Sequence, residues 1–245
     1  MLATINSIIS YMEKEDYYNN YSSCTVSAAE CKCFDKLTSE QQQFLEDNSV
    51  IITYKKNETI NKQGALVSHI MYMEEGLAKV YMSIKDENLL LKLIPPHNFI
   101  GLVAASENEN VYQYSSMAYV ESKIRQIEVS AFRKLLNENS DFAKEIINIL
   151  SANSVQIYNR FFCLIKKHSY GRLADIILCL AERIFYENAF SLPISRQEIA
   201  ELAGMRVETV IRILKEFSKE GLIKVSNKEF EVLDYEQLRK ISDNG

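Results

Sequence analysis

Polar and apolar positions along this chain alternate between helical and strand periods. From Ser39 to Asn48 a polar, glutamine-rich stretch carrying Phe44 and Leu45 predicts a short helix, and from Val50 the pattern becomes period two. VIITY (Val50 to Tyr54), HIMYM (His69 to Met73), LAKVYMS (Leu77 to Ser83), LLLKLI (Leu89 to Ile94), YSSMAYV and KIRQIEV read as strands. Gln63-Gly64, Glu75-Gly76, Lys85-Asp86-Glu87-Asn88 and Pro95-Pro96 separate them with turn-forming residues. Many short strands at close spacing predict a compact antiparallel roll or barrel.

Near Val129 the period becomes helical. SAFRKLLNENS predicts one helix, and Asp141 to about Lys167, free of glycine and proline, predicts a long one. Its apolar positions recur in steps of three and four, which makes a stripe along one face. A helix of about 27 residues rises roughly 40 Å, more than a domain of this size can cover. The spare stripe predicts a seam with a second copy through Ile146, Ile149, Leu150, Ile157, Phe161 and Leu164, with Asn153 as a polar residue that fixes register. A further helix over Arg172 to Glu187 follows, and Leu192-Pro193 resets the chain.

Ser195-x-x-Glu198 is a capping box that starts a helix through Ile199, Ala200 and Leu202. Gly204 supplies a turn, and a second helix from about Val207 to Glu220 places Val210, Ile213, Leu214 and Phe217 toward its own domain. Glu208, Arg212 and Lys215 then point away, as a helix entering a DNA major groove requires. Strands at Leu222 to Val225 and Glu229 to Leu233, joined by Ser226-Asn227-Lys228, read as a wing, and Asp234-x-x-Gln237 caps a last helix ending near Ile241.

Charge changes this picture in one respect. The net charge of -5 argues against nucleic-acid binding by charge alone, but it is unevenly placed: residues 1–159 hold 14 basic and 20 acidic side chains, residues 160–245 hold 14 and 13. Between Arg206 and Lys228 there are six basic and three acidic residues, so the local field is positive. Binding then needs a specific site and two reading heads acting together. No apolar run reaches the roughly 18 residues of a membrane span, and residues 1–20 lack the pattern of a secretion signal, which predicts a cytosolic protein. Five cysteines in a chain of this length read as reduced thiols or metal ligands rather than staples. An enzyme built on a cupin-like metal site is disfavoured, because His69, His97 and His168 form no spaced pair.

The order of roll, long helix and winged helix-turn-helix resembles the bacterial Crp/Fnr family of dimeric transcription regulators over about residues 37–240. HNFIG (His97 to Gly101), GRLADIILCL (Gly171 to Leu180) and SRQEIAELAGMRVETVIRILKEFSKEGLIKV (Ser195 to Val225) carry the resemblance. It implies an α+β chain divided into an N-terminal extension (1–36), an antiparallel β-roll sensor (37–128) of the cyclic-nucleotide-binding kind, a connector with the dimerisation helix (129–168) and a winged helix-turn-helix (169–245). It implies no enzymatic activity. Double-stranded DNA with a pseudo-palindromic site, a second copy of the chain and RNA polymerase are the implied partners.

The candidate DNA contacts are Ser195, Arg196, Arg206, Val207, Glu208, Thr209, Ile211, Arg212, Lys215 and Lys228. Arg212 is assigned to a guanine edge and Glu208 to a cytosine amino group, pairings whose geometry is sound. Val207 before the glutamate is Fnr-like, whereas Ile211 before the arginine departs from that branch. In the cyclic-nucleotide-binding branch a glutamate follows FxG; here Leu102 follows Phe99-Ile100-Gly101. Between Lys92 and Lys123 there is no lysine or arginine, so the expected pocket wall offers a phosphate no cation and cyclic AMP is disfavoured. Gly101, Leu102, Ser115 and Ser116 mark the candidate effector pocket. Cys24, Cys31 and Cys33 suggest the Fnr branch, whose oxygen sensors hold an iron–sulfur cluster, but their spacing differs. Free surface thiols open to oxidation are the leading reading and the cluster is the alternative.

Overall fold

The structure, a computed structural model, describes residues 31–84, 87–108 and 110–245. Thr38 and Gln41 form a capping box that starts helix α1 (Ser39–Asp47). Eight strands follow: β1 (Ser49–Tyr54), β2 (Thr59–Asn61), β3 (His69–Glu75), β4 (Ala78–Ile84), β5 (Glu87–Ile94), β6 (Phe99–Ile100), β7 (Ser115–Ala118) and β8 (Ser122–Glu128). They pair antiparallel into two four-stranded sheets, ordered β1-β8-β3-β6 and β2-β7-β4-β5. Gly76, between β3 and β4, has φ +103, and a Cβ there would lie 2.7 Å from the Glu121 carbonyl oxygen, so this tight turn admits only glycine.

The two sheets enclose an apolar core of Met71, Met73, Ala78, Val80, Ile94, Ile100 and Ile124. The far side of the first sheet is covered by α1, by α2 (Val129–Glu138) and by the start of α3 (Ser140–Lys166). Phe99, Phe132 and Phe142 meet edge to face there, with centroids 5.7 and 5.4 Å apart. Residues 31–37 are part of this core through Cys31, Cys33 and Leu37.

Helix α3 matches the predicted long helix, with the Asn139 side chain accepting from the amides of Asp141 and Phe142 at its start. Its stripe divides, however. Ile146 is buried in the core of its own chain, and Ile149 and Leu150 pack against that core. Leu164 leans on the turn at Gly204. Only further along do large apolar side chains stand at least half exposed: Val155, Ile157, Tyr158, Phe161, Phe162 and Ile165, with Ile147 earlier on the helix. Ile146 is thus enclosed within its own chain, whereas Ile149, Leu150 and Leu164 are only partly buried.

Helix α4 (Ser169–Leu180) ends earlier than the pattern predicts, passing through a π-turn at Ala181–Phe185 to Tyr186 in the left-handed region. Strand β9 (Ala189–Ser191), helices α5 (Arg196–Ala203) and α6 (Val207–Lys219), strands β10 (Ile223–Ser226) and β11 (Glu229–Val232) and helix α7 (Tyr235–Asn244) complete the chain. The ribbon predicted as two-stranded is a three-stranded sheet, β10-β11-β9, because β11 also pairs with the strand before the two helices. Polar ties fasten α3 to this unit. Arg172 donates to the carbonyls of Leu164 and Lys167 at 3.3 and 3.0 Å, satisfying the end of α3, and to that of Gly204 at 3.4 Å. Asp175 accepts from Lys167 at 2.9 Å, from the Cys163 thiol at 3.1 Å and from the Ser242 hydroxyl. No helix among the described residues is long and apolar enough to cross a membrane.

Candidate nucleic-acid interface

The reading unit begins with the capping box foreseen in the sequence: the Ser195 hydroxyl accepts from the Glu198 amide, and Glu198 accepts from the Ser195 amide. Gly204 takes the left-handed conformation, with φ +59 and ψ +46, and so turns the chain into α6. Val210, Ile213, Leu214 and Phe217 are buried. Arg206, Glu208, Ile211, Arg212 and Lys215 are exposed on the other side, Thr209 is partly buried and Val207 is partly packed against the core. The sequence assignment thus brings Glu208, Ile211, Arg212 and Lys215 onto one open face of α6, with Arg206 exposed at its N-cap.

The others are placed differently. Arg196 donates to the Asn227 carbonyl at 3.0 Å and its guanidinium stacks over Phe230 at 4.6 Å, so it braces the wing turn, where Lys228 is exposed. Ser195 lines a cavity of about 340 Å³ against the roll, together with Lys79, Tyr81, Leu90, Met117, Glu198 and Glu201. Lys79 of β4 bonds to Glu198 at 2.6 Å across that cavity. Burial pushes the Glu198 carboxyl up, but the Lys79 bond and the Ser195 amide and hydroxyl outweigh it and hold the group below its ordinary range. Below this contact, Leu77, Leu90, Leu93 and Tyr119 on the outer face of the second sheet share one continuous core with α5 and α6.

Arg212 does not pair with Glu208, although the two are four apart. Its Nη1 donates to Glu216 Oε1 at 3.2 Å and to the Tyr170 hydroxyl at 2.9 Å. Glu208 makes no hydrogen bond or ion pair among the described residues. Tyr170, which nothing in the sequence pattern singles out, donates its own proton to Glu216. The three groups shift one another: the Tyr170 bond holds the Glu216 carboxyl down, Glu216 pushes the Tyr170 phenol up, and both keep Arg212 firmly protonated.

The effector residues named from sequence are dispersed. Gly101 is left-handed at φ +81 and its amide donates to the Tyr114 hydroxyl at 2.9 Å. Leu102 is buried among Phe99, Phe132 and Phe142, outside the roll interior. Ser115 pairs across the sheet with Tyr81 and accepts from the Gln63 amide at 3.0 Å; strand alternation turns it to the outer face. Ser116 alone of the four faces inward on a strand. It lies in a cross-strand row, Asn61–Ser116–Val80–Lys92, whose members share a face because directly paired residues do. Lys92 therefore points into the roll, at the edge of the stretch to Lys123 that carries no other lysine or arginine. Burial pushes its amine down to about 8. The signal was the lone lysine inside LLLKLI.

Cys31 and Cys33 are buried and joined by a disulfide, their Cα atoms 5.4 Å apart, within bridging range. Two of the three suggested ligands are thus bonded to each other, and neither is a free surface thiol. Cys24 lies outside the described residues. Cys179 also takes part in a disulfide, and no group of three or more His, Cys, Asp or Glu able to hold a metal occurs among the described residues. The described residues do not fit an iron–sulfur cluster.

Residues 171–241 match the Crp-like helix-turn-helix domain family, and residues 51–139 match the cyclic nucleotide-binding domain family. The chain is 26% identical over 186 residues to the transcriptional activator protein FnrA of Stutzerimonas stutzeri, covering 74% of this chain and 75% of that one. It is also 26% identical over 185 residues to the cAMP-activated global transcriptional regulator CRP of Salmonella typhimurium, covering 71% and 85%. The solved structure of FixK2 from Bradyrhizobium japonicum superposes with a TM-score of 0.72 at 18% identity, over 79% of this chain and 96% of that one, and so shares the fold.

Proposed function

The chain belongs to the Crp/Fnr family of transcription regulators, and within it we propose a homodimer that reads a pseudo-palindromic DNA site through Glu208 and Arg212 while its roll takes an effector that is not a cyclic nucleotide. Family members of this kind are DNA-binding regulators with a cyclic-nucleotide-binding-like sensor, act as dimers and are not enzymes. Work beside RNA polymerase in the cytosol is part of the same proposal.

The observation that carries it is the open face of α6. Its apolar side is fully committed to its own domain, while Arg206, Glu208, Ile211, Arg212 and Lys215 are directed outward. The end bearing Glu208 is the end that enters a groove. Half-exposed Ile157, Tyr158, Phe161, Phe162 and Ile165 support the dimer, since soluble monomers rarely expose a contiguous apolar stripe of that extent. Two heads spaced by such a helix pair would read inverted half-sites. Leu102 in the phenylalanine core and the absence of lysine and arginine from β7 support a ligand other than a cyclic nucleotide, while Lys92 gives the roll interior a positive charge of its own.

Selection from randomised duplexes tests the proposal: inverted repeats are expected, and a single unrepeated element would overturn the dimeric reading. On the best duplex, Glu208→Ala and Arg212→Ala should each cost about 1 to 3 kcal/mol. Unchanged binding by both would sink the base assignment. Lys215→Ala should weaken all sequences alike and flatten the salt dependence.

A further inference from the structure

We infer that Tyr170 and Glu216 are positioning residues that hold the Arg212 guanidinium in its base-reading orientation; the inference rests on the assignment of Arg212 to a guanine. Only Nη1 of Arg212 is engaged, by the Tyr170 hydroxyl at 2.9 Å and by Glu216 Oε1 at 3.2 Å. The edge formed by Nε and Nη2 carries no hydrogen bond among the described residues. A guanine offers O6 and N7 side by side, and one free guanidinium edge supplies the two donors that match them. An unrestrained arginine on an exposed helix face would sample many rotamers, and each unproductive one lowers the population able to bind.

The restraint is built from both sides. Glu216 lies one turn along α6 from Arg212, and its carboxylate accepts from both the guanidinium and the Tyr170 hydroxyl. The Tyr170 ring is fixed edge-on against buried Phe217, with centroids 6.0 Å apart, and stands 5.7 Å from the guanidinium carbon. Tyr170 belongs to the first turn of α4, just beyond the end of α3. The hydroxyl that aims the arginine is therefore carried by the segment joining the long helix to the reading head. A shift of α4 against α6 would release the guanidinium without touching any DNA contact.

The test uses the full chain and its selected duplex, with each half-site guanine replaced in turn by 7-deazaguanine, which lacks the N7 acceptor. The guanine read by Arg212 is the one whose replacement no longer matters to Arg212→Ala. Tyr170→Phe, which keeps the ring, and Glu216→Gln should each weaken the guanine duplex about threefold to tenfold, the worth of one hydrogen bond. Both should weaken the 7-deazaguanine duplex less, because only O6 then remains for the guanidinium, so discrimination falls. Neither should matter further once Arg212 is alanine. Equal weakening of both duplexes, or discrimination retained within about twofold, would overturn the positioning role while leaving Arg212 as the reader. If Arg212→Ala itself leaves every guanine discriminated, the base assignment fails first, and the positioning role falls with it.

Discussion

The two ends of α3 have similar composition and opposite surroundings. Phe142 and Ile146 are enclosed by the roll and α2, whereas Ile157, Phe161 and Ile165, on the same helix, are largely exposed. A periodic apolar stripe states only that a face will be covered; it does not say by what. The difference arises because the roll covers the first turns closely, so these act as core, while the later ones carry the face proposed for the second copy.

Three variants would break or sharpen this contrast. The largest effect is expected at the enclosed end, where Phe142→Ala should lower unfolding free energy by about 3 to 5 kcal/mol in denaturant titrations, because the phenylalanine cluster cannot collapse around the space. At the exposed end, Phe161→Glu should leave a folded monomer in sedimentation and lower affinity for an inverted repeat by about a hundredfold through loss of the second head. A folded dimer with unchanged affinity would erase the distinction. The smallest effect is expected where the exposed half is tied back to the roll, at β5. There Arg160 donates to the Leu90 carbonyl at 3.2 Å and Lys92 points inward. Burial lowers Lys92 from its ordinary 10.5 to about 8, so the unfolded chain binds more protons between those values and stability rises with pH across them. Lys92→Met should therefore stabilise the protein by about 1 to 2 kcal/mol at pH 7, and by less as pH rises from about 8 to 10.5. A gain that is constant with pH would show that the amine is not the cause.

Much of this was legible in the sequence, for local reasons. Ser195 with Glu198, Gly204 and the spacing of Val210, Ile213, Leu214 and Phe217 fix the reading unit through short-range capping, turn and periodicity rules. Alternation located most of the roll strands. What escaped depends on residues far apart in the chain. Strand β9 is three residues long and exists because β11 pairs with it. The inward direction of Lys92 follows from its register with Val80, and an irregularity in that same β4–β5 pairing is invisible in LLLKLI. Tyr170 meets Arg212 across 42 residues, and Cys31 with Cys33 is buried by helices that no cysteine spacing reveals.

The core that runs unbroken from Leu77, Leu90, Leu93 and Tyr119 into α5 and α6 limits how the chain can be cut. A fragment starting at α4 would retain its three-stranded sheet and its caps, yet it would present to water the apolar patch that the roll now covers. Such a fragment would be prone to self-association. Exchanging reading heads between regulators of this fold would then succeed only when the outer face of β4 and β5 travels with the head, so the smallest transferable piece of this protein is larger than its DNA-binding unit.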